Sequence, residues 1–291
     1  MPKFEQRFSL DAMQDEFTIW TQIVKPSLRL PPNVLDICLH GFTEVLNNVI
    51  DHSQGKSVTI RGQQADASTI FEIEDDGVGV FGRLRAYFAF DSDIHALIEL
   101  VKGKLTVAPQ AHTGEGLFFS SKMFDQFIIE SGELSVSFAE NECEVRNIAC
   151  RQGTLIRMEI ANNSARTTKQ VFDQFCGGEN YAFNKTRFFL TLAAFEGSLV
   201  SRSQAKRVAA RFEKFGEVEL DFASVESIGQ GFADELLRVW PLTHPQTKLL
   251  VTNANDAVLM MVGHIKGRQD LPQIVEEQQP EDEDVRNSPR R

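Results

Sequence analysis

Tyrosine and tryptophan are scarce in this chain of 291 residues, with two of each against 23 phenylalanines. Because phenylalanine has no polar group, we expect the aromatic side chains to fill hydrophobic cores rather than to form a platform for stacked bases. Basic residues are also outnumbered: 30 Lys and Arg face 41 Asp and Glu, for a formal net charge of −11. Such a charge argues against a surface for nucleic acids or anionic membranes.

Cysteine pairs with redox or metal spacing are absent as well. The four cysteines form no CxxC pair, so reduced thiols in a cytosol are the expected state. No apolar run reaches membrane-spanning length, and residues 1–8 lack the apolar segment of a signal peptide. These absences predict a cytoplasmic protein with no membrane-bound part, and the length suits two domains.

Apolar residues recur at helical spacing across residues 32–51, which predicts a helix buried on much of its circumference. Glu44 and Asn48 lie one turn apart on one face of this helix. A carboxylate and a carboxamide on a largely apolar helix need partners. A ligand that carries a metal and phosphates would supply them. For these two residues alone, a solvated helix edge is the simpler interpretation.

Two glycine-rich turns follow the helix. The first, DDGVG at 75–79, comes at the end of a predicted strand and indicates a tight turn where backbone approaches another group closely. The second, TGEGL at 113–117, opens an apolar helix, whose free N–H groups form a site for phosphates. It matches neither a Walker loop nor a dinucleotide-binding fingerprint. For the first turn alone, a purely structural role is the alternative.

The order of predicted elements places these motifs in one domain. Residues 1–160 predict a helix ending near Lys25, the helix at 32–51, two antiparallel strands, an irregular segment over 81–112 and a helix after it. An irregular segment of that length is more often a functional lid than a plain connection. The strands are predicted at 57–61, 69–74, 126–131, 134–139, 144–149 and 155–160, and a short helix at 93–101.

Four motifs in this order resemble the GHKL (Bergerat-fold) ATPase module of gyrase, Hsp90, histidine kinases and MutL. EVLNN at 44–48 resembles its N box, and the turns at 75–79 and 113–117 resemble its two glycine boxes. Gly153-Thr154, at the start of a strand, resembles its terminal GT element. The end of the N box, at 48–53, looks most like the anti-sigma-factor serine kinases of that superfamily.

The resemblance implies a site for ATP and Mg²⁺. Asn48 would offer its side-chain oxygen to the metal, and Asp75 would accept a hydrogen bond from the adenine amino group. Glu44 would be the general base. The nucleotide-binding residues that it implies are Asn48, Asp75, Gly77, Gly79, Thr113, Gly114, Gly116 and Thr154.

Other polar residues near these motifs receive simpler interpretations. His52 is expected to have a structural role. Lys102, Lys104 and Lys122 are expected to be solvated, with contact to phosphates as the alternative for each.

Strands and helices alternate in the second half, which predicts an α/β layer with some parallel pairing. Residues 220–235 resemble the anti-sigma-factor antagonist (STAS) domain, especially a STAS-like type attached to GHKL modules. Gly-Gln-Gly at 229–231 stands where true antagonists carry phospho-acceptor serines, so no phosphorylation switch is expected there. The elements are predicted at 187–192, 217–222 and 248–252 (strands) and at 201–215, 231–240 and 257–265 (helices).

The predicted architecture is an N-terminal α/β sandwich, with helices on a mixed, mainly antiparallel sheet, over 1–160. A linker follows over 161–186, then a smaller STAS-like α/β domain over 187–268. The polar, acidic residues 269–291 are predicted to be a disordered tail.

The leading functional hypothesis is a cytosolic, Mg-ATP-binding regulatory protein. It would be a slow ATPase switch, read out through the STAS-like domain to an unidentified regulatory protein partner. One alternative is a protein serine kinase of the anti-sigma-factor type, and another is an ATP sensor that does not hydrolyse its ligand. The sequence does not decide between a monomer and a homodimer.

Overall fold

The computed structural model describes residues 3–108, 110, 113–139, 142–177, 181–266 and 273–274. Within them the chain forms a five-stranded and a four-stranded sheet with helices between the strands, which confirms the mixed α/β class. Among these residues, no helix combines the length and the apolar character needed to cross a membrane. The predicted tail, 269–291, lies outside the described residues except for a short strand at Gln273–Ile274.

The first sheet has the strand order β1 (Lys3–Ser9), β2 (Ser57–Gln64), β3 (Ser68–Asp75), β5 (Glu142–Ala161) and β4 (Gln126–Ala139). All its neighbouring pairs are antiparallel, where a mixed, mainly antiparallel sheet was predicted. Its edge strand, Lys3–Ser9, was not foreseen, because only Phe4 and Phe8 along it turn away from solvent. The predicted single helix up to Lys25 is also wrong, since that stretch is broken into short helical turns. Elements up to residue 52 are β1 (Lys3–Ser9), a 3₁₀ turn (Leu10–Ala12), α1 (Glu16–Ile19), a π turn (Trp20–Val24), a 3₁₀ turn (Lys25–Ser27) and α2 (Pro32–His52).

Helix α2 is the central packing element, and its 21 residues match the predicted helix. Pro32 occupies its first turn, where a missing N–H has no consequence for the hydrogen-bond ladder. Gly41 brings it close to its neighbours, because a Cβ at that position would lie 2.3 Å from the Phe124 ring. The residues that α2 buries are Val34, Ile37, Cys38, Gly41, Phe42, Val45, Leu46 and Val49.

The strands after the second glycine box are longer and fewer than predicted. A register shift near Gly132, which has a φ of +57°, bends the ladder between β4 and β5 without ending it. A bulge of this kind leaves pairing intact on both sides, so four predicted strands become two. Elements from 57 to 161 are β2 (Ser57–Gln64), β3 (Ser68–Asp75), α3 (Val80–Phe88), α4 (Asp93–Val101), α5 (Gly116–Met123), β4 (Gln126–Ala139) and β5 (Glu142–Ala161).

The predicted linker contains a helix that packs on α5. Thr167 and Gln170 form a capping box at the start of this helix, which satisfies two backbone donors. The Phe172 and Phe119 rings lie 4.4 Å apart, centroid to centroid, so the segment is joined to α5 by aromatic packing. Its elements are α6 (Thr168–Phe175), β6 (Cys176–Gly177) and β7 (Ala182–Phe183).

The second sheet has the strand order β11 (Gln273–Ile274), β10 (Lys248–Thr252), β9 (Glu217–Asp221) and β8 (Lys185–Phe189), and all these pairs are parallel. Its strands and helices follow the predicted alternation, and the strand at 248–252 has the predicted bounds. Two predictions were too long: the strand at 187–192 ends at Phe189, where a helix begins, and the helix at 201–215 ends at Ala209. Elements from 185 onward are β8 (Lys185–Phe189), α7 (Leu190–Ala194), α8 (Arg202–Ala209), a 3₁₀ turn (Phe212–Lys214), β9 (Glu217–Asp221), α9 (Gln230–Asp234), a π turn (Glu235–Val239), α10 (Trp240–Thr243), β10 (Lys248–Thr252), α11 (Asp256–Lys266) and β11 (Gln273–Ile274).

Candidate functional site

A cavity of about 320 Å³ lies between α2, the ends of β3 and β5, and the segment from α3 to α5. Its walls combine a large apolar surface with a few polar groups, as expected for a small-molecule site. The predicted site residues other than Gly77 all line it. The complete lining is Glu44, Val45, Asn48, Val49, His52, Ser53, Ile73, Asp75, Gly79, Val80, Arg83, Leu84, Leu100, Leu105, Thr106, Val107, Thr113, Gly114, Gly116, Leu117, Thr154 and Ile156.

Helix α2 turns one polar stripe towards the cavity. Glu44, Asn48 and His52 follow one another at intervals of one turn and all line it, since residues four apart share a helix face. The buried side chains of Val45 and Val49 fix the rotation of the helix beside them. His52 therefore borders the cavity, although the sequence favoured a structural role for it.

Asp75, at the end of β3, is the buried carboxyl group of the site, with a relative exposure of 5%. Its Oδ1 accepts a hydrogen bond of 2.8 Å from the Gly77 N–H. Burial raises the pKa of Asp75, while hydrogen bonds from Gly77 and Thr154 oppose that rise. A carboxyl group that lacks full hydration can recognise a donor in a ligand strongly.

The first glycine box shapes the wall beside Asp75. Gly79 has a φ of +80°, and a Cβ there would lie 2.5 Å from Ser131 Oγ, so only glycine fits both the conformation and the space. The Val80 N–H, which follows it, donates to Thr154 Oγ1 at 3.0 Å. Thr154 thereby connects the start of α3 with Asp75.

Gly77 does not line the cavity. A Cβ on it would lie 2.0 Å from the Ser53 carbonyl oxygen, so the residue is packed behind Asp75 against the end of α2. Its N–H group acts on the site indirectly, by holding the Asp75 carboxyl group in place.

Glu44 lies over the start of α5. A Cβ on Gly116 would be 1.7 Å from Glu44 Oε2, so the carboxylate occupies the space that a side chain would need. The positive end of the helix dipole favours a carboxylate there. The structure thus brings Glu44 and the second glycine box together, and the role of Glu44 as general base stays a prediction.

Arg83 is the charged residue of the described cavity lining that sequence reasoning missed. Val80, Arg83 and Leu84 line the cavity from one face of α3, in the spacing that a helix requires. Among the residues that the structure describes, the buried Arg83 Nε has no hydrogen-bond partner. The signal was available in the arginine one turn beyond the first glycine box, but α3 fell within a segment predicted to be irregular.

The three lysines considered for phosphate contact do not line the cavity. The expectation that Lys102 is solvated is also wrong, because its side chain is completely buried. Its Nζ donates to Glu99 Oε1 at 2.6 Å and to the Ala210 carbonyl oxygen at 2.8 Å. Burial lowers the pKa of Lys102 to about 8, against the opposing effect of Glu99.

Comparison with known families concerns the second half of the chain. Residues 204–259 match the model of a family described as a STAS-like domain of unknown function (DUF4325). The match begins within α8, ends within α11 and includes β9 and β10, which confirms the predicted STAS-like domain. No curated protein matches the chain.

Proposed function

We propose that the chain is a Mg-ATP-binding regulatory protein, a slow ATPase whose nucleotide state is read out through its STAS-like domain. One observation carries the proposal. Residues from four short motifs, between positions 44 and 154, line a single cavity although the sequence separates them widely. Apolar walls suit a purine base, and polar groups confined to a few positions suit its edge and its phosphates.

Each motif would have a separate task. Asp75, supported by Gly77 and Thr154, would accept a hydrogen bond from the adenine amino group, and this selects adenine over guanine because a carboxylate repels the guanine oxygen. The Gly79 backbone would leave room for the base. The N–H groups at the start of α5 would face the phosphates.

Asn48 would hold Mg²⁺ together with phosphate oxygens and water, as this ion prefers. The metal would neutralise charge that develops on the phosphates. Glu44, one turn from Asn48, would take the proton of the attacking water. In the described conformation Glu44 covers the start of α5, so binding of phosphates there requires the carboxylate to move away from Gly116.

The readout has a physical route, because the cavity wall is bonded to the STAS-like domain. Leu100 and Leu105 line the cavity. Glu99, Lys102 and Gly103, which lie beside or between them, form hydrogen bonds with residues 210 and 211 of the STAS-like domain instead. There, Arg211 donates to Glu99 Oε2 at 3.0 Å and to the Gly103 carbonyl oxygen at 2.9 Å.

We call Glu99, Lys102 and Arg211 the ionic cluster. Glu99 and Lys102 are almost completely buried, and a buried charge that loses its partner is strongly destabilising. A ligand that shifts the segment from 100 to 105 must therefore also shift the STAS-like domain or break these bonds. That linkage would give two discrete arrangements for a partner to distinguish.

The test is incubation of the full chain with γ-labelled Mg-ATP, alone and with cell lysate. Slow release of free phosphate by the chain alone is the expected result. Label on a protein would favour the serine kinase alternative, and binding without turnover would favour the sensor. Absence of ATP binding by equilibrium dialysis would refute all three.

A further inference from the structure

Arg83 stands out among the groups around the cavity because of its charge and its bonding. Two side chains with carboxyl groups, Glu44 and Asp75, line the cavity. Arg83 is the one lysine or arginine side chain among the described residues of that lining. Its Nε is buried and lacks a hydrogen-bond partner among the described residues. A buried donor without a partner is unfavourable, and a group that enters the cavity would supply the missing acceptor.

The position of Arg83 limits what that group can be. Val80 is bonded to Thr154 beside the Asp75 carboxyl group, which is the end of the cavity proposed for the base. Arg83 lies three residues further along α3, about one helical turn or roughly 5 Å. In a nucleotide, the ribose places the first phosphates at a comparable distance from the base, whereas the last phosphate lies further away.

We propose that Arg83 binds the α- or β-phosphate of the nucleotide, and so distinguishes nucleotides from nucleosides. This inference rests on the proposed function and adds the residue that recognises phosphate charge near the sugar. A guanidinium suits the task because its planar N–H groups match two phosphate oxygens at once. The first phosphates would thus be recognised from α3, independently of the start of α5.

Arg85 offers a matched control on the same helix. Its Nη1 lies 3.2 Å from Asp93 Oδ1, its side chain is half exposed, and it does not line the cavity. Replacing either arginine by glutamine removes one positive charge from α3. Only the Arg83 change removes it from the cavity wall.

The experiment is titration calorimetry of the full chain with adenosine, ADP and Mg-ATP. For Arg83→Gln we expect ADP and ATP to bind about 10- to 100-fold more weakly, the range for loss of a charged hydrogen bond, and adenosine to bind as before. Arg85→Gln should leave all three affinities unchanged. Arg83→Lys keeps the charge but not the planar geometry, so its loss for ADP should be smaller. It preserves the contrast between adenosine and ADP even if the glutamine variant does not fold.

Three results would overturn the inference. Unchanged ADP affinity in both Arg83 variants would remove Arg83 from the phosphate site while leaving ATP binding by the wild type intact. An equal loss for adenosine would show that Arg83 shapes the pocket rather than binding phosphate. A wild type that binds none of the three ligands would refute the proposed function together with this inference.

Discussion

The buried charged groups around Asp221 and those around the cavity are bonded in opposite ways. In the STAS-like domain, the fully buried Asp221 accepts from Arg187 Nε at 2.9 Å, from the Ala223 N–H at 2.8 Å and from Asn253 Nδ2 at 3.1 Å. Around the cavity of the first domain, burial raises the pKa of Asp75, and Arg83 Nε has no partner among the described residues.

This difference separates groups that maintain structure from groups that await a ligand. A buried charge with all its hydrogen bonds made inside the protein contributes to a unique packing. Removal of one of its partners strongly destabilises the fold. A buried group whose bonds are incomplete gains them only when something binds. The cavity is therefore the expected place for chemistry, and the bonds around Asp221 are expected to maintain structure.

The largest expected effect tests whether the first domain performs chemistry. Glu44→Ala should reduce ATP turnover by about 10²- to 10⁴-fold, as loss of a general base typically does, and should keep ATP binding. Phosphate release and equilibrium dialysis measure the two properties separately. Asp36→Ala removes an exposed carboxylate from the same helix and should change neither. If the Glu44 variant hydrolyses ATP at the wild-type rate, Glu44 only caps α5.

The next effect tests the structural side of the comparison. Asp221→Ala leaves the largely buried Arg187 without its strongest partner, which should lower the free energy of unfolding by about 3–5 kcal/mol. Urea unfolding followed by circular dichroism measures it. Asp173→Ala breaks an exposed pair with Lys169 and should change stability by less than about 0.5 kcal/mol. Equal stabilities for the two variants would contradict the distinction drawn between the Asp221 site and the cavity.

Asp75→Asn tests the same distinction from the other side, since it should weaken ligand binding without destabilising the fold. Loss of a charged acceptor should reduce ATP affinity by about 1.5–3 kcal/mol, measured by calorimetry. Unchanged affinity would show that Asp75 does not contact the base.

Its effect on stability should depend on pH. Burial raises the folded pKa of Asp75 above the ordinary 3.8. The stability that its neutral form contributes is therefore present below pH 3.8 and is lost as pH rises through the folded value. Asparagine cannot ionise, so the variant should gain stability relative to the wild type across that window and be at least as stable at pH 7. Urea unfolding at both ends of the window measures this gain.

The sequence was sufficient for the parts of the site that local rules determine. Helical spacing placed Glu44 and Asn48 on one face, whereas Asp75 and Thr154 were indicated by the resemblance of their motifs to a known ATP-binding module. It was insufficient where distant partners decide. A lysine such as Lys102 usually lies at the protein surface. Its burial here depends on Ala210, which is 108 positions away in the sequence.

The same reason explains the errors in the fold. Lys3–Ser9 has a weak apolar pattern, and it becomes a strand because β2 offers it a free edge with seven paired positions. The shift near Gly132 looks like a strand end in the sequence, since a glycine between apolar segments usually marks a turn. Pairing with β5 overrides that local preference on both sides of the shift.

The smallest expected effect concerns transmission between the two domains. Hydrogen exchange across residues 217–240 should differ with and without ATP in the wild type, and the difference should shrink in Arg211→Gln. We expect a coupling free energy of about 1 kcal/mol, near the low end for linked sites, because the ionic cluster is only one part of the interface. Arg202→Gln, which loses an exposed pair with Asp234, should retain the wild-type response.

The STAS-like domain should also carry no phosphate after incubation with Mg-ATP, since 229–231 offers no hydroxyl group. Identical exchange in the wild type with and without ATP would remove the coupling while leaving the nucleotide site intact. Stoichiometric phosphate on Ser224 or Ser227 would instead make the second domain a substrate, and the comparison between a chemical and a transmitting domain would no longer hold.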